Sequence, residues 1–474
     1  MLPKKYLIII SLCALVIFVP AGRAQGKDEA RQLAREILKQ LVEINTTDSV
    51  GNVTMAAEAM AKRLRDAGFA EKDIIIAGPN DRKKNLAVRF HGTGKSKPVL
   101  FIGHLDVVEA RREDWTTDPF QFIEKDGYFY GRGTQDMKDG DAILVANFIR
   151  LRKEGFLPDR DFILALTADE EGGNYNGIQW LVTHHRDWID AEYSINLDGV
   201  AESQKGRPSL FNIDVSEKVY ADFTLETTNP GGHSSIPRRD NAIYSLAAAL
   251  TRLQAFSFPL KLNDVSRKYL EYSARRAEGQ RSADLLAAAK IPPDPQSVER
   301  LSQDPNYNSV LRTTCVATML SGGHAPNALP QSARANVNCR IFPGEEPEEV
   351  RKILVRVITD PQVSVRFVVQ HAADGSAVVP ASVPPSPLNA ELMSAVEKIV
   401  SKMWPGVPVI PDMSQGASDS TFLRLAGIPS YVFSGVFLDS DDARAHGRDE
   451  RIRASSFEEG VDFIYQLIRE LAAK

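Results

Sequence analysis

The sequence predicts an α/β protein into which a smaller α+β domain is inserted. Helical segments and apolar, strand-like segments alternate from residue 28 to about residue 215, which is typical of a mixed sheet covered by helices on both faces. From about residue 216 the pattern changes to alternating strands, and after about residue 372 the first pattern returns. A chain of 474 residues is also long enough for two domains.

The larger domain is predicted from residues 27–215 and 372–474. Apolar residues recur with a helical period over residues 28–68, where two helices are expected. The next elements are strands at 85–90 and 98–102, a helix at 141–155, a strand at 161–167, a helix at 177–184 and a strand at 193–197. After residue 372 a helix is expected at 389–403, a strand at 431–434 and a terminal helix at 456–472.

The inserted domain is predicted from residues 216–371. Its expected strands lie at 218–227, 312–320, 333–342 and 362–369, and its expected helices at 244–253 and 346–358. Residues 263–304 form a charged and mostly helical insertion within this domain, and the sequence does not indicate its purpose.

Composition and the N-terminus bear on location and partners. With 57 Lys and Arg against 62 Asp and Glu, the chain lacks the basic excess of a nucleic-acid-binding protein. Lys4 and Lys5 precede an apolar run at residues 6–20, and the small residue Ala24 follows. This is the pattern of a signal peptide, here residues 1–24, and the run is shorter than the roughly 20 residues of a membrane span. We expect an exported protein, periplasmic or secreted, that is not bound to a membrane after cleavage.

Two cysteines remain after cleavage, Cys315 and Cys339. Two are too few for a disulfide framework, and neither lies in a metal-binding C-x-x-C motif. Both lie in apolar, strand-like runs, which favours packing over reactivity. The sequence alone does not show whether these two cysteines form a disulfide.

Polar side chains follow the apolar strands of the larger domain. His104 and Asp106 follow the strand at 98–102, Glu170 and Glu171 follow that at 161–167, and Asp198 follows that at 193–197. Each residue alone could cap a helix or face solvent. Together, at the carboxyl ends of strands in an α/β sheet, they are expected to converge. An imidazole and several carboxylates are ligands for a divalent metal, and this many carboxylates indicates two metals.

Six segments then identify a family. They are His104-Leu105-Asp106, Gly131-Arg132-Gly133 with Asp136-Met137-Lys138, Asp169-Glu170-Glu171, Asp198-Gly199, Gly232-His233-Ser234 and Ala445-His446-Gly447. As a set they resemble the dinuclear zinc peptidase family of acetylornithine deacetylase, succinyl-diaminopimelate desuccinylase, aminoacylase, glutamate carboxypeptidase and Gly-Xaa carboxypeptidase. The resemblance covers nearly the whole mature chain. It implies a zinc-peptidase catalytic domain with an inserted lid and dimerisation domain.

The resemblance also implies a metal site. His104 and Asp198 would hold one Zn²⁺, Glu171 and His446 the other, and Asp136 would bridge them. Other divalent metals such as Co²⁺ or Mn²⁺ are possible in such a site. Zinc would lower the pKa of a bridging water towards about 7.

Two further carboxylates receive roles from the same resemblance. Asp106 would accept the second ring N–H of His104 and so orient that ligand. Glu170 would be the general base, taking a proton from the water that attacks an amide carbonyl and passing it to the leaving nitrogen.

The resemblance further implies a substrate with a free carboxylate next to the scissile amide. Arg340 and Asn327 match the residues that bind this carboxylate, and a guanidinium can donate two parallel hydrogen bonds to it. Asn338 stands where many relatives have Asp, which weakens the match at Arg340. The backbone N–H of Gly416 would bind the same group.

The expected activity is that of an exopeptidase of the carboxypeptidase or dipeptidase type. Export and Asp198 favour a peptidase, since the family's deacylases often have Glu at that position. The alternative within the class is an N-acyl-amino-acid deacylase. A non-catalytic peptide-binding protein is the alternative from another class, but all five ligand positions and Glu170 are present.

His233 is expected to act across a homodimer. It lies in the inserted domain between glycines and serines, in an arrangement that also suits a solvent-facing turn. In the family, the matching histidine reaches the partner subunit's metal site and binds the oxyanion formed during attack. The resemblance therefore implies a homodimer formed through the inserted domain.

Overall fold

The computed structural model describes residues 21–94, 96–172, 174–371, 377–378 and 380–472. The predicted fold class is confirmed, since a mixed sheet covered by helices carries an inserted α+β unit. Most of the predicted signal peptide, residues 1–20, lies outside the described residues. Among the described helices, none is both long and apolar enough to span a bilayer.

The larger domain, named the catalytic domain for the expected role of its strand-end residues, begins with elements close to the predicted ones. They are α1 (Ala21–Glu43), α2 (Val53–Asp66), β1 (Ile74–Ala77), β2 (Asn85–Phe90), β3 (Ser96–His104), β4 (Ile123–Lys125), β5 (Tyr128–Tyr130), α3 (Lys138–Lys153), β6 (Arg160–Thr167), α4 (Gly177–His184), α5 (Arg186–Ile189), β7 (Tyr193–Asn196), β8 (Ala201–Gln204) and β9 (Arg207–Glu217).

The inserted domain and the return to the catalytic domain complete the chain. The inserted elements are β10 (Val219–Thr228), β11 (Gly232–His233), α6 (Ala242–Gln254), α7 (Asp264–Arg276), α8 (Gly279–Ala289), α9 (Pro295–Leu301), α10 (Pro305–Leu311), β12 (Thr314–Gly322), β13 (Ala328–Leu329), β14 (Ser332–Ile341), α11 (Pro347–Ile358), β15 (Val363–Phe367), β16 (Gln370–His371) and β17 (Ala377–Val378). The returning elements are α12 (Ala390–Met403), β18 (Val409–Ser414), α13 (Ser420–Leu425), β19 (Ser430–Val432), β20 (Phe437–Asp439), β21 (Arg451–Arg453) and α14 (Ala454–Leu471).

The catalytic sheet places three parallel strands side by side. Its order is β1-β2-β6-β3-β7-β19-β9-β8-β20, and β18 pairs with β9. β3 is parallel to both β6 and β7. Side chains alternate along β3, so Phe101 packs on the face covered by α3 and α14 while Leu100 and Ile102 pack towards α4 and α13. Both faces are therefore buried, and the carboxyl ends of these strands share one edge.

The inserted domain is a four-stranded antiparallel sheet in the order β12-β14-β10-β15, backed by α6 and α11. Cys315 on β12 faces Cys339 on β14 in the strand register, and the two form a disulfide. The pairing that the sequence left open is therefore present. The disulfide fastens β12, which is an edge strand of this sheet, to its neighbour.

The charged insertion packs against the catalytic domain as well as on its own core. Leu270, Leu285 and Leu301 belong to a separate small apolar cluster of α7–α9. Tyr272 on α7 packs with Leu210 and Ile410 of the catalytic domain, and its hydroxyl donates to the carbonyl of Ser209 at 3.3 Å. The insertion thus bridges the two domains.

One guanidinium contacts both chain crossings between the domains. The first crossing passes from β9 to β10 at Lys218, next to Glu217, which accepts from Arg424 at 2.8 Å. On the returning chain, the hydroxyl of Ser386 accepts from Arg424 at 3.1 Å. The predicted boundary at 371/372 falls between β16 and β17, which pair with each other, and residues 372–376 between these two strands lie outside the described residues.

Candidate active site

The predicted strand-end residues come together at one edge of the catalytic sheet. His104 is the last residue of β3, Glu170 and Glu171 follow β6, and Asp198 follows β7. Because these three strands are adjacent and parallel, their carboxyl ends meet.

Asp136 lies between two histidines from distant parts of the chain. Its Oδ1 is 3.1 Å from Nε2 of His104, and its Oδ2 is 3.1 Å from Nε2 of His446. Nε2 of His446 is also 2.8 Å from Oε2 of Glu171. One carboxylate therefore faces a different imidazole with each of its oxygens.

Two overlapping sets of side chains have the spacing of metal ligands. His104, Asp136 and Glu171 form one set, and His104, Glu170 and Asp198 form the other, with ligand atoms within 4.8 Å of one another in each. Glu170 and Glu171 thus point to different parts of the site. Asp169 just before them has a φ of 57°, a left-handed conformation that turns the chain sharply at the end of the strand.

The site gathers more negative charge than a buried region tolerates without cations. Burial raises the pKa of both Glu170 and Asp198 well above the ordinary value, and neighbouring carboxylates raise it further. Burial would also raise the pKa of Asp136, but its hydrogen bonds with His104 and His446 hold it below the usual range. The pKa of His446 is raised to about 10 by its hydrogen bonds with Asp136 and Glu171.

These residues fit a pair of divalent metal ions. Oε1 of Glu171 is buried and accepts no hydrogen bond from the residues that the structure describes, although an unsatisfied buried carboxylate oxygen is costly. Imidazole nitrogen and carboxylate oxygen are ligands that Zn²⁺ takes. A cation would satisfy this oxygen and offset the repulsion between the carboxylates.

Asp106 lies beside His104, as predicted, and also forms hydrogen bonds to the turn after β6, which the sequence did not predict. The ring Nδ1 of His104 lies 3.1 Å from the carbonyl oxygen of Asp106 and 3.7 Å from its carboxylate. The carboxylate accepts the backbone N–H groups of Glu170 and Glu171, at 3.2 Å and 3.0 Å. Asp106 therefore contacts both a candidate ligand and the turn that carries two others.

Sequence reasoning missed Glu450 as a support of the site. This buried carboxylate accepts from the guanidinium of Arg132 at 2.5 Å and from the backbone N–H of Gln135 at 2.7 Å. It also accepts the N–H of Asp136 at 3.3 Å. The sequence signals were the arginine of Gly131-Arg132-Gly133 and an acidic residue four positions after His446.

Asp419 is a second residue that sequence reasoning missed. It is buried behind the turn of Glu170, where it accepts from the hydroxyl of Thr167 at 2.7 Å and the amide of Asn176 at 2.6 Å. Burial raises its pKa to about 6. The only signal was its place next to Ser418 in the loop that also holds Gly416.

His233 and Asn327 lie together on the inserted domain. β11 and β13 pair so that His233 faces Ala328, and the carbonyl of Asn327 accepts from the N–H of Ser234 at 3.1 Å. The imidazole is exposed, and its hydrogen bonds in the described part of the chain are with Ser235 alone. Among the described residues, His233 therefore forms no hydrogen bond with the candidate metal ligands of its own chain.

Among the described residues, the guanidinium of Arg340 forms no ion pair. It lies 4.7 Å from the centre of the Tyr220 ring, whose hydroxyl donates to Asp222 at 2.5 Å. Asn338, which stands in place of the family's Asp, donates to Asp222 at 2.9 Å. Arg340 is thus available to bind an anion.

The N–H of Gly416 already has a partner in this structure. It donates to the hydroxyl of Ser414 at 3.1 Å, in an exposed loop. A substrate carboxylate would have to displace that hydroxyl. The predicted role of Gly416 stays a prediction.

The geometry agrees with comparisons to known proteins. The human N-fatty-acyl-amino acid synthase/hydrolase PM20D1 is 28% identical over 464 residues, covering 94% of this chain and 89% of that protein. A probable carboxypeptidase S-like 2 of Dictyostelium discoideum is 28% identical, covering 81% of this chain and 74% of that protein. An M20 family metallo-carboxypeptidase from Sulfolobus solfataricus has the same fold, with a TM-score of 0.68, 16% identity, and coverage of 92% of this chain and 98% of that one.

The family is shown by the extent of the match. The profile of Peptidase family M20/M25/M40 matches residues 100–470, a stretch that begins in β3 and reaches into α14. It therefore contains every candidate ligand as well as the inserted domain. The family predicted from the six sequence motifs is confirmed: this chain is a hydrolase that belongs to Peptidase family M20/M25/M40.

Proposed function

We propose that this protein is a two-zinc exopeptidase that hydrolyses the amide bond next to a free carboxylate. The observation that carries this proposal is Asp136, whose carboxylate lies 3.1 Å from His104 on one side and 3.1 Å from His446 on the other. A carboxylate placed between two imidazoles suits a bridge between two metal ions. His104 and Asp198 would hold one ion, and Glu171 and His446 the other.

Residues of the chain would transfer the proton and orient the groups of the site. The bound zinc ions would supply Lewis acidity and a water of lowered pKa. Glu170, whose pKa is raised by burial, would take the proton of that water and pass it to the leaving nitrogen. Asp106, bonded to the backbone at 170 and 171, would hold Glu170 and Glu171 in their separate directions.

Arg340 supports a substrate with a free carboxylate. Its guanidinium is half-buried against Tyr220 and has no acidic partner among the described residues. Burial lowers its pKa more than the nearby Tyr220 and Asp222 raise it, and a bound anion would offset the cost of burying this charge. The C-terminal carboxylate of a dipeptide or short peptide would supply that anion, with Asn327 beside it.

An N-acyl amino acid is the second candidate substrate. The human and Xenopus tropicalis relatives named N-fatty-acyl-amino acid synthase/hydrolase are 28% and 30% identical to this chain. Such a substrate presents the same carboxylate next to the same kind of amide bond. The site geometry suits both classes of substrate. They differ in the group on the carbonyl side of the amide bond, which is an amino acid in a peptide and an acyl chain in an N-acyl amino acid.

One experiment tests the metal and both substrates. Purified protein would be analysed for metal, then assayed for amino acid release from a dipeptide mixture and from N-acyl amino acids, with and without chelator. We expect about two zinc ions per chain and turnover that disappears on chelation and returns with Zn²⁺. Turnover that persists after complete metal removal would overturn the proposal.

We also propose that the protein is a homodimer formed through the inserted domain. Val316, Met319 and Leu320 on the edge strand β12 are 60%, 72% and 70% exposed, and Tyr244 on the adjacent α6 is 67% exposed. An apolar edge strand is a template for pairing with another chain. A second copy covering this face would let His233 of one chain approach the metal site of the other.

Export is the last part of the proposal. The N-terminal pattern of residues 1–24 is that of a signal peptide. The disulfide between Cys315 and Cys339 supports it, because disulfides persist in oxidising compartments. N-terminal sequencing of the exported protein would test cleavage after Ala24.

A further inference from the structure

A buried ion pair lies directly behind the two glutamates of the site. Lys83, in the loop before β2, contacts Asp169 at the end of β6, and the two side chains are only 5% and 2% exposed. The ammonium of Lys83 also lies 2.9 Å from Asp48, which is exposed at the surface. A pair this deeply buried needs a reason, because desolvating both charges is costly.

Asp169 occupies the position that sets the direction of its two neighbours. Its φ of 57° is uncommon for a residue other than glycine, although Asp tolerates it better than most. The turn it makes separates Glu170, which belongs to the set with Asp198, from Glu171, which belongs to the set with Asp136. A change in this one backbone conformation would reorient both glutamates.

The turn is held from two sides. On one side, the carboxylate of Asp106 accepts the backbone N–H groups of Glu170 and Glu171. On the other side, Lys83 holds the side chain of Asp169. The second carboxylate oxygen of Asp169 has no hydrogen-bond partner among the described residues, so Lys83 is its cationic anchor.

Removing the cation would leave a buried carboxylate next to other carboxylates. The side chain of Asp169 is 2% exposed and its carboxylate contacts the ammonium of Lys83. Without Lys83, an uncompensated buried charge beside Asp106 and the two glutamates would favour rotation of Asp169 out of the turn.

From these contacts we infer that Lys83 is a positioning residue for the hydrolytic reaction, acting through Asp169 to aim Glu170 and Glu171. The inference rests on the roles proposed above for those two glutamates. Neither Lys83 nor Asp169 would touch the substrate or the reacting atoms. Their contribution is the geometry of the turn, which the active site needs to within a fraction of an ångström.

The test compares single and paired substitutions in the full-length, metal-loaded protein. Lys83→Gln and Asp169→Asn each leave one buried polar group without its partner, so both should lower the unfolding midpoint. The double variant, Lys83→Gln with Asp169→Asn, removes both buried charges, so no unpaired charge remains, and it also removes the ion pair that anchors the turn.

The effects on kcat and on the unfolding midpoint should then differ between the single and double variants. We expect each single variant to lose about ten- to a hundredfold in kcat, as residues behind a metal site commonly do, with KM changed less than threefold. We expect the double variant to recover most of the unfolding midpoint but not kcat. Metal titration against a competing chelator should show weakened zinc affinity in all three variants. Lys84→Met, which breaks an exposed pair with Asp81, is the matched control and should behave as wild type.

Two results would overturn the inference. One is a double variant whose kcat returns together with its stability, which would make the pair purely structural. The other is wild-type kcat and zinc affinity in both single variants. Wild-type protein without any metal-dependent hydrolysis would instead overturn the proposed function, so the two failures are distinct.

Discussion

Oε2 of Glu171 lies 2.8 Å from Nε2 of His446, although one residue follows β6 and the other follows β20 near the end of the chain. His446 has a φ of 62°, and Arg132 donates to its carbonyl at 3.4 Å. The loop is thus fixed at both its backbone and its ring. This contact joins the last segment of the chain to the first half of the catalytic sheet.

His446→Ala should deplete one metal site and leave the other. Its Nε2 lies 2.8 Å from Oε2 of Glu171 and 3.1 Å from Oδ2 of Asp136, whereas His104 faces the other oxygen of Asp136. We expect bound zinc to fall from about two to about one per chain, and turnover to fall by more than the roughly ten- to hundredfold that loss of a residue behind the ligands commonly costs. Metal analysis after gel filtration measures the first effect. His184→Ala is the control, because that exposed ring stacks on Trp180 away from the site; an unchanged zinc content in His446→Ala would contradict the prediction.

Glu170→Ala should keep both metals and lose most of the turnover. Its Oε2 lies 3.9 Å from Nε2 of His104, farther than the contact between Glu171 and His446. A general base commonly contributes about 10²–10⁴ in rate, and we expect kcat to fall by that factor. Loss of zinc in this variant would show that Glu170 is a ligand and that Glu171 is the better candidate for the base.

Mixed dimers of two inactive chains should regain activity. If the proposed dimer shares its sites, a His233→Ala chain paired with a Glu170→Ala chain contains one site with both groups intact. Each parent homodimer lacks one group, and loss of an oxyanion donor alone costs about 10²–10³ in rate. Differently tagged chains, purified by both tags, provide the mixed dimer for assay. Absence of recovery in verified mixed dimers would mean that each chain works alone.

Arg340→Met should raise KM much more than it lowers kcat. The guanidinium has no acidic partner among the described residues, so its removal affects the substrate carboxylate rather than the fold. A hydrogen bond between charged groups is worth about 1.5–3 kcal/mol, which corresponds to a rise in KM of about ten- to a hundredfold. Arg334→Met on the same strand is the control, since that arginine pairs with Glu226 on the surface. Equal KM values for the two variants would contradict the assignment.

Asp214→Asn should stabilise the protein more at pH 8 than at pH 5. Asp214 faces Asp412 across β9 and β18, and burial raises its pKa from 3.8 to about 7. Between these pH values the folded chain binds a proton that the unfolded chain has lost, so stability falls as pH rises and is lowest above pH 7. The amide removes this loss, a gain of about 1–4 kcal/mol at pH 8. Thermal unfolding at both pH values measures it, with the exposed Asp81→Asn as control; a gain that is equal at both pH values would contradict the prediction.

The catalytic sheet was predictable because its strands are nearly all apolar and end in polar residues. The segment 98–102 was predicted as a strand, and β3 extends it to His104, since backbone pairing with β6 continues through that residue. The convergence of His104, Glu170 and Asp198 followed from the rule that parallel strands share a carboxyl edge. The position of each residue at the end of its strand was enough to predict this convergence, without knowledge of the tertiary contacts.

The supports of the site were not predictable in the same way. Lys83, Glu450 and Asp419 each act through long-range contacts. The sequence signals beside Glu450 and Asp419 do not show which groups these carboxylates contact, and Lys83 has no such signal. The same holds for the packing of α7 on Leu210 and Ile410, because a helical period shows that a face is buried but not against what. The pairing of Cys315 with Cys339 needed the strand register, which places them opposite each other.

The guanidinium of Arg424 joins both chain crossings between the domains to the catalytic sheet. It is bonded to Glu217 at one crossing, to Ser386 at the other, and to the carbonyl of Ser430 in the sheet. Glu217 in turn accepts from the hydroxyl of Ser418, in the loop that also holds Gly416, and from the hydroxyl of Thr421 in α13. Both crossings and the loop are therefore hydrogen-bonded through one buried arginine and one buried glutamate. The same two side chains link the position of the inserted domain to that of the loop beside the candidate active site.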